Sequence, residues 1–377
     1  MSDAVSQKLR HDSAEGHVSG GALYVDDLPE APGTLHLAFG LATDGHARLK
    51  VLDLSAVRAA PGVVAVFTAA DIPGENNVGP VFHDDLLFVE DEILYPGQPL
   101  FVVAATSNRA ARIAARLAKV ESEPLPAHVT IAEAEEEFEA PQVMTRGDAG
   151  GALDAASNRL QGRVEMGGQE HFYLEGQAAL ATPGEADHLH VFSSTQHPSE
   201  VQHLIAVLLG LRSADVTVEV RRMGGGFGGK ETQAAAYAVA CALVAAKTGR
   251  PAKIRADRDD DMAMTGKRHD FLADYDVGFD GEGRIEGIRI DLASRCGATV
   301  DLSLAINDRA MFHADNCYFL PAVEIVSRRL KTHTVSNTAF RGFGGPQGMM
   351  AIERVIDAIA AHLDLDPLAV RQANLYG

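Results

Sequence analysis

Residues 222–231, Arg-Met-Gly-Gly-Gly-Phe-Gly-Gly-Lys-Glu, hold the types and spacing most suited to chemistry. Gly224, Gly229 and Lys230 fit G-x-x-x-x-G-K, while Gly224, Gly226 and Gly229 fit G-x-G-x-x-G, so two phosphate-cradling patterns compete. Neither survives. A phosphate loop needs Ser or Thr after its lysine to hold Mg²⁺, and Glu231 stands there, where its charge repels phosphate oxygens. A dinucleotide fold needs an acid closing a strand roughly 20 residues further on, where the alanine-rich stretch 231–249 is still helical in pattern. What remains is a glycine turn between a strand-like run and a helix. Such a turn offers unpaired N–H groups and the positive end of the helix dipole, with no Cβ to keep an electron-rich ligand away. A tight turn that merely tolerates glycine is the plain alternative.

A second stretch, Ala-Phe-Arg-Gly-Phe-Gly-Gly-Pro-Gln-Gly at 339–348, repeats the core Gly-Phe-Gly-Gly and again leads into a helical pattern, 349–363. Two backbone-exposing turns could converge on one flat polar ligand, walled by aromatic rings.

The elements that must position these loops divide in two. From Gly16 to about Glu123, strand-like runs (TLHLAFGLA, GVVAVFT, QPLFVVAA) alternate with helical ones, the last of them, 105–120, capped at Ser107-Asn108. Residues 120–143 combine prolines with a run of acids and suggest a linker. From Asn158 onward strands such as LQGRVEMGGQ and LHVFSST interleave with helices at 199–210 and 231–249, the latter closed by Gly249 and Pro251. A last helix follows Asp366-Pro367, and the chain then stops between elements, either at a natural end or at a cut in something larger. The fold class expected is α/β to α+β.

With 377 residues, 46% of them hydrophobic, the chain can bury two or three cores. Asp and Glu outnumber Lys and Arg by 52 to 33, a net charge of -19 that disfavours nucleic acid and anionic membrane surfaces. Cys241, Cys296 and Cys317 form no C-x-x-C pair, which argues against a disulfide framework and against a zinc or iron–sulfur site and suits a cytoplasmic setting. No apolar run approaches the roughly 18 residues that span a bilayer.

The two glycine loops, together with GGQEHFYLEGQ (167–177), SSTQHPSEVQ (193–202), DRDDDMAMTGKRHDF (257–271), NDRAMFHADNCY (307–318) and the opening HDSAEGHVSGGALYVDDLPE (11–30), resemble the xanthine dehydrogenase/aldehyde oxidase family of molybdenum hydroxylases. The nearer likeness is to the molybdopterin-binding subunit of its bacterial members. The resemblance implies a flexible N-terminus (1–15), a small α/β hammerhead domain (16–125), a linker (126–150) and the first part of a molybdopterin-binding domain of mixed sheets and helices (151–377). It also implies roles. Gln196, Phe227, Gly228 and Arg341 match positions around the molybdenum, which the pterin itself ligates. Glu231 and Arg309 match a substrate-facing pair on either side of a purine, and Phe343 matches the ring on which the heterocycle stacks. For Arg309 the plain alternative is an ion pair with Asp308 or Asp315.

As expectations, then, the whole enzyme hydroxylates hypoxanthine and xanthine with oxygen from water, and passes electrons through iron–sulfur clusters and FAD to NAD on partner subunits. The family's subunit continues well beyond residue 377 and carries its general-base glutamate there, so a partner polypeptide with the remaining molybdopterin domain is implied. A split or truncated noncatalytic component, or a relative acting on another N-heterocycle or an aldehyde, is the alternative. His171, Phe172 and Tyr173 suggest a packed strand, the Asp257–Asp261 run a turn organiser, and Lys267, Arg268 and His269 domain contacts more than cofactor contacts.

Overall fold

The alternating run at 34–42 folds as the strand Leu35–Leu41, and the Ser107 signal starts the helix Asn108–Ala115, with Ser107 Oγ accepting from the Ala110 N–H at 3.2 Å. This is a computed structural model, and it describes residues 8–376. The helix stops at Ala115, short of residue 120. Lys119–Pro124 becomes extended instead and pairs antiparallel with Ala47–Asp53, which Glu92–Ile93 flanks on the other side. Strand pairing wins over a local helical pattern here, because the partner lies some 70 residues away and no local rule registers it.

Leu35–Leu41 does a second thing. It pairs antiparallel with Pro99–Ala105 and parallel with Ala252–Arg255, through Leu35 opposite Ala252 and His36 opposite Lys253. A seven-stranded sheet results, ordered Val216–Glu219, Leu189–Ser193, Ala178–Pro183, Ala252–Arg255, Leu35–Leu41, Pro99–Ala105, Val63–Phe67. Backbone hydrogen bonds thus run unbroken from the first third of the chain into the second.

The expected linker, 126–150, is also built in. Gln142–Arg146 pairs antiparallel with Val323–Lys331, Glu136–Glu137 pairs with the end of the same strand, and a helix begins at Ala149. Its acids suggested a solvated connector. In the structure they meet cations of the partner strand: Glu137 Oε1 lies 3.0 Å from Arg328 Nη1, and Glu136 Oε2 lies 3.2 Å from Lys331 Nζ. Charge compensation from a distant strand is what a local reading lacks.

Val323–Lys331, Ile285–Gly297, Phe271–Phe279 and Asn158–Met166 continue this sheet of six strands. Helices Ser303–Phe312, Gly345–Leu363 and Pro367–Asn374 contribute to the hydrophobic core on it. A separate core joins the seven-stranded sheet to Pro198–Leu209 and Ala234–Thr248. The second of these helices is buried on nearly every face, which its alanines permit, and ends at Gly249 with φ 64°. Of the stretch 1–15 expected to be flexible, residues 1–7 lie outside the described residues. The helix Ala14–Ser19 starts within the rest, beside an Asp12–Arg221 ion pair of 2.7 Å.

Candidate functional site

The two glycine loops dock backbone against backbone. The Arg341 N–H donates to the Phe227 carbonyl at 2.8 Å. Gly228 has φ 100°, and a Cβ there would stand 2.6 Å from the Ala339 carbonyl oxygen, so only glycine lets the loops approach this closely. Each loop also holds its phenylalanine in the left-handed region, Phe227 at φ 55° and Phe343 at φ 51°, each followed by a positive-φ glycine. Bulky residues avoid that region at a cost of order 1–3 kcal/mol. The same strained pair of dihedrals occurring twice argues that both loops are shaped for one task.

Gln196 is part of this junction. Its Oε1 accepts from the Gly228 N–H at 2.8 Å and the Lys230 N–H at 3.3 Å, while its own N–H donates to the Lys230 carbonyl at 2.7 Å. The amide N–H₂ remains the end that can serve a ligand. Phe227 is 47% exposed, Arg341 is exposed and Phe343 is half-buried. Thus Gln196, Phe227, Gly228 and Arg341 are brought into one contiguous junction, with Phe343 two residues beyond.

Lys230, the residue that completed the phosphate-loop pattern, faces inward. It is fully buried, and its Nζ donates to the Glu175 carbonyl at 2.7 Å and to Ser194 Oγ at 2.7 Å, with Glu175 Oε2 at 3.3 Å. Burial pulls the ammonium below its ordinary range, and the Glu175 carboxylate opposes that. The lysine is a strut beneath the loop and presents no charge to a phosphate. Glu231 corrects an expectation as well. The helix begins at Ala234, so Glu231 stands in the turn before it, its N–H donating to the Gly228 carbonyl at 3.3 Å.

Arg309 lies exposed on the helix Ser303–Phe312. Asp308 pairs with Arg329 at 2.5 Å and Asp315 accepts from the Tyr376 hydroxyl at 3.1 Å, so the bland partners proposed for Arg309 are engaged elsewhere. A buried carboxylate ties its helix to both loops. Asp301 accepts from Thr232 Oγ1 and Thr338 Oγ1 at 2.7 Å each, from Gln233 Nε2 at 2.8 Å and from the Leu302 N–H at 2.6 Å. Thr232 follows Glu231, Thr338 leads into the second loop, and Leu302 precedes the Arg309 helix. Burial pushes the Asp301 carboxyl up to about 6 against the pull of these donors.

Residues 132–375 match the molybdopterin cofactor-binding domain family, and residues 19–126 match the aldehyde oxidase and xanthine dehydrogenase a/b hammerhead domain. The chain belongs to the aldehyde oxidase and xanthine dehydrogenase family. It is a molybdenum-cofactor-binding region of that family, with the hammerhead domain in front. It is 42% identical to the xanthine dehydrogenase of Calliphora vicina and 40% identical to the xanthine dehydrogenase/oxidase of Felis catus, over 99% of its own length in each case. It spans 28% of the length of those relatives. Among solved structures, the aldehyde oxidoreductase from Desulfovibrio gigas superposes with a TM-score of 0.88 at 28% identity, covering 97% of this chain and 43% of that one.

The residues present fit the family's cofactor. The junction offers a surface of main chain, where Cβ atoms at Gly226 and Gly228 would strike Gln196 Oε1 and the Ala339 carbonyl. It also offers the amide donor of Gln196. Among the described residues no group of three or more His, Cys, Asp and Glu is placed to hold a bare metal ion, and no helix is long and apolar enough to cross a membrane.

Sequence reasoning missed the supports. His171, expected on a packed strand, lies in irregular backbone. Its ring is buried, its Nε2 lies 2.7 Å from the Ala339 carbonyl oxygen, and it packs beneath Gly229; burial holds it below the ordinary histidine range. Tyr173 is buried, whereas Phe172 between them is 67% exposed. Arg268 reaches the second loop, donating to the Arg341 carbonyl at 2.9 Å and lying 3.9 Å over the Phe340 ring, so it serves the site more than a domain contact. Asp257 caps the helix Arg258–Met264, the turn-organising role its run of acids suggested. Glu175 and Asp301 gave no local signal, because their partners are remote in sequence.

Proposed function

We propose that this chain forms one wall of the active site of a xanthine dehydrogenase-like oxidoreductase. The observation that carries this reading is the docking of the two Gly-Phe-Gly-Gly loops around Gln196. Gln196, Phe227, Gly228 and Arg341 border the molybdenum cofactor, which supplies the two-electron oxidation and uses water as the oxygen source. Glu231 and Arg309 orient a purine, hypoxanthine or xanthine, with Phe343 against its ring.

The chemistry suits those residue types. Oxygen addition at a purine carbon pushes negative charge onto the ring. A guanidinium can stabilise that charge, while a carboxyl hydrogen-bonds a ring nitrogen or oxygen. Electrons leave through iron–sulfur clusters and FAD to NAD on partner subunits. A second polypeptide completes the molybdopterin domain, and the assembly works in the cytoplasm. The chain spans 28% of the length of those relatives, which leaves room for these regions in a whole enzyme of that kind.

In the assembled enzyme, Glu231→Ala or Arg309→Met should lower kcat/KM for xanthine by about 10²- to 10³-fold, the usual effect of removing one charge-stabilising group. Molybdenum content should stay at the parent level. Parent-like xanthine turnover in both variants refutes the purine assignment, and a parent enzyme that turns over aldehydes but not xanthine would favour the aldehyde-oxidising branch.

A further inference from the structure

Two stretches of the sequence, GGQEHFYLEGQ and DRDDDMAMTGKRHDF, supply none of the groups assigned above to cofactor or substrate, yet they meet on the second glycine loop. They are first tied to one another. The Arg268 N–H donates to the Gln169 carbonyl at 3.0 Å, and Lys267 Nζ lies 2.8 Å from Glu170 Oε2. From this base His171 and Arg268 grip three consecutive residues. His171 Nε2 donates to the Ala339 carbonyl at 2.7 Å, and its ring lies 4.7 Å from the Phe340 ring. Arg268 holds its guanidinium 3.9 Å from the centre of that same ring and donates through Nη2 to the Arg341 carbonyl at 2.9 Å, while its Nε donates to Gln169 Oε1 at 2.7 Å. Burial pulls the guanidinium below its ordinary range, and among the described residues no carboxylate opposes this. All three partners are neutral, so the contacts of this arginine serve the shape of the loop and no ion pair.

Phe343 hangs from the residues so gripped. Its N–H donates to the Phe340 carbonyl at 2.7 Å, which closes a turn over residues 340–343. Gly342 has φ 101° while Arg341 keeps a negative φ, the combination of a type II turn. The carbonyl that Arg268 holds belongs to the central peptide of this turn, whose flip would convert it to type I and reverse the sign of φ at Gly342. Phe343 itself, at φ 51°, stands between two glycines of positive φ. A strained residue between permissive neighbours keeps its conformation only while its surroundings are fixed. On one side the helix Gly345–Leu363 fixes them. On the other side the grip on Phe340 and on the Arg341 carbonyl does so.

We propose that Arg268 is a positioning residue that sets the Phe343 ring against the substrate, and thereby a determinant of affinity for flat heteroaromatic substrates. This rests on the reading of Phe343 as the stacking ring. Arg341 does not depend on the same grip, because its own N–H is held by the Phe227 carbonyl at 2.8 Å.

Steady-state kinetics with xanthine in the assembled holoenzyme test the assignment. Arg268→Met should raise KM about 5-fold, the worth of one aromatic stack, because stacking acts alike on bound substrate and transition state. The kcat and the molybdenum content should stay at the parent level. Arg268→Lys should behave in the same way, since an ammonium keeps the charge but cannot reach Gln169 and the Arg341 carbonyl while covering the Phe340 ring. In a Phe343→Ala background, Arg268→Met should add nothing further to KM. A merely structural arginine would instead lower melting temperature, molybdenum content and kcat together, in either background.

A parent KM in Arg268→Met or in Arg268→Lys overturns the proposal, and so does a full added rise in the Phe343→Ala background. If Arg268→Met does not accumulate, Arg268→Lys decides alone: a raised KM with parent kcat supports the positioning role, and any other result overturns it. Phe343→Ala separates the two levels. An unchanged xanthine KM there overturns the stacking reading and the role of Arg268 with it. A raised KM there, with both Arg268 variants at the parent value, overturns only the role of Arg268.

Discussion

Replacing Asp301 by Asn keeps the shape of the hub that ties both glycine loops to the Arg309 helix and removes its charge. The parent carboxylate accepts four donors, from Thr232, Gln233, Thr338 and Leu302. An amide keeps one oxygen for Thr338 and Leu302, and the Thr232 hydroxyl can turn round to accept. The Gln233 N–H₂ is left facing another N–H₂, at a cost of about 1–2 kcal/mol. Against this stands the burial of the charge. An unfolded aspartate ionises at about 4, whereas in the folded chain burial pushes Asp301 up to about 6. Folding therefore takes up a proton between these values, and the parent loses stability as pH rises from about 4 through 6.

Two pH units correspond to about 3 kcal/mol, a loss that the neutral amide of the variant cannot suffer. Below about pH 4, Asp301→Asn should be less stable than the parent by the cost of the stranded amide. By about pH 8 the difference should swing by about 3 kcal/mol in favour of the variant, crossing zero on the way. Melting temperatures of the two proteins measured in parallel across this range read the difference directly, and other titrations cancel in it. A parent-minus-variant difference that stays flat refutes the placement of a charge-burying hub at Asp301.

Other perturbations report on the parts this hub connects. Gly228→Ala must adopt φ 100° and drive a Cβ toward the Ala339 carbonyl. It should cost about 2 kcal/mol or more and separate the loops, seen as a lowered melting temperature and a lowered molybdenum-to-protein ratio on metal analysis. Lys230→Met leaves Glu175 and Ser194 without their buried cation and should destabilise by about 3–5 kcal/mol in thermal unfolding. Far from the site, Ser107→Ala removes the cap on Asn108–Ala115 and should cost about 1 kcal/mol by melting, with xanthine turnover unchanged.

What was legible in the sequence was whatever the backbone demands locally. Gly-Phe-Gly-Gly occurs twice because each loop needs positive φ in consecutive residues, and only a glycine-rich string shows that need on its surface. Ser107, Asp257 and Gly249 were readable for the same reason, since each satisfies groups within a turn of itself. The failures share a different physics. Lys119 and Val120 looked helical, residues 126–150 looked like a linker, and Glu175 and Asp301 carried no signal. In every case the deciding partner lies far along the chain, as with Asp301 and Thr232, which are 69 positions apart.

The distribution of side chains around the junction explains why its glycines are informative while its charges mislead. Lys230 and Glu231 are adjacent in sequence, and their charges should serve one another in any local reading. The fold gives them different settings: the Lys230 side chain turns inward to Glu175 and Ser194, and Glu231 stands in the turn beyond the clamp between Gln196 and Lys230. A buried ammonium beneath the glycines holds the loop from below, so its upper surface can be main chain and an amide. Had that lysine pointed upward, the loop would have been built for phosphate charge. With it neutralised below, the surface left to a ligand consists of dipoles and aromatic edges. The substitution that inverts this logic is Glu175→Gln, which weakens the anchor of Lys230 without touching the upper surface. It should lower the melting temperature while leaving the relative kcat/KM for xanthine and an aldehyde unchanged. A change in that ratio would mean that the charge below the loop is felt above it.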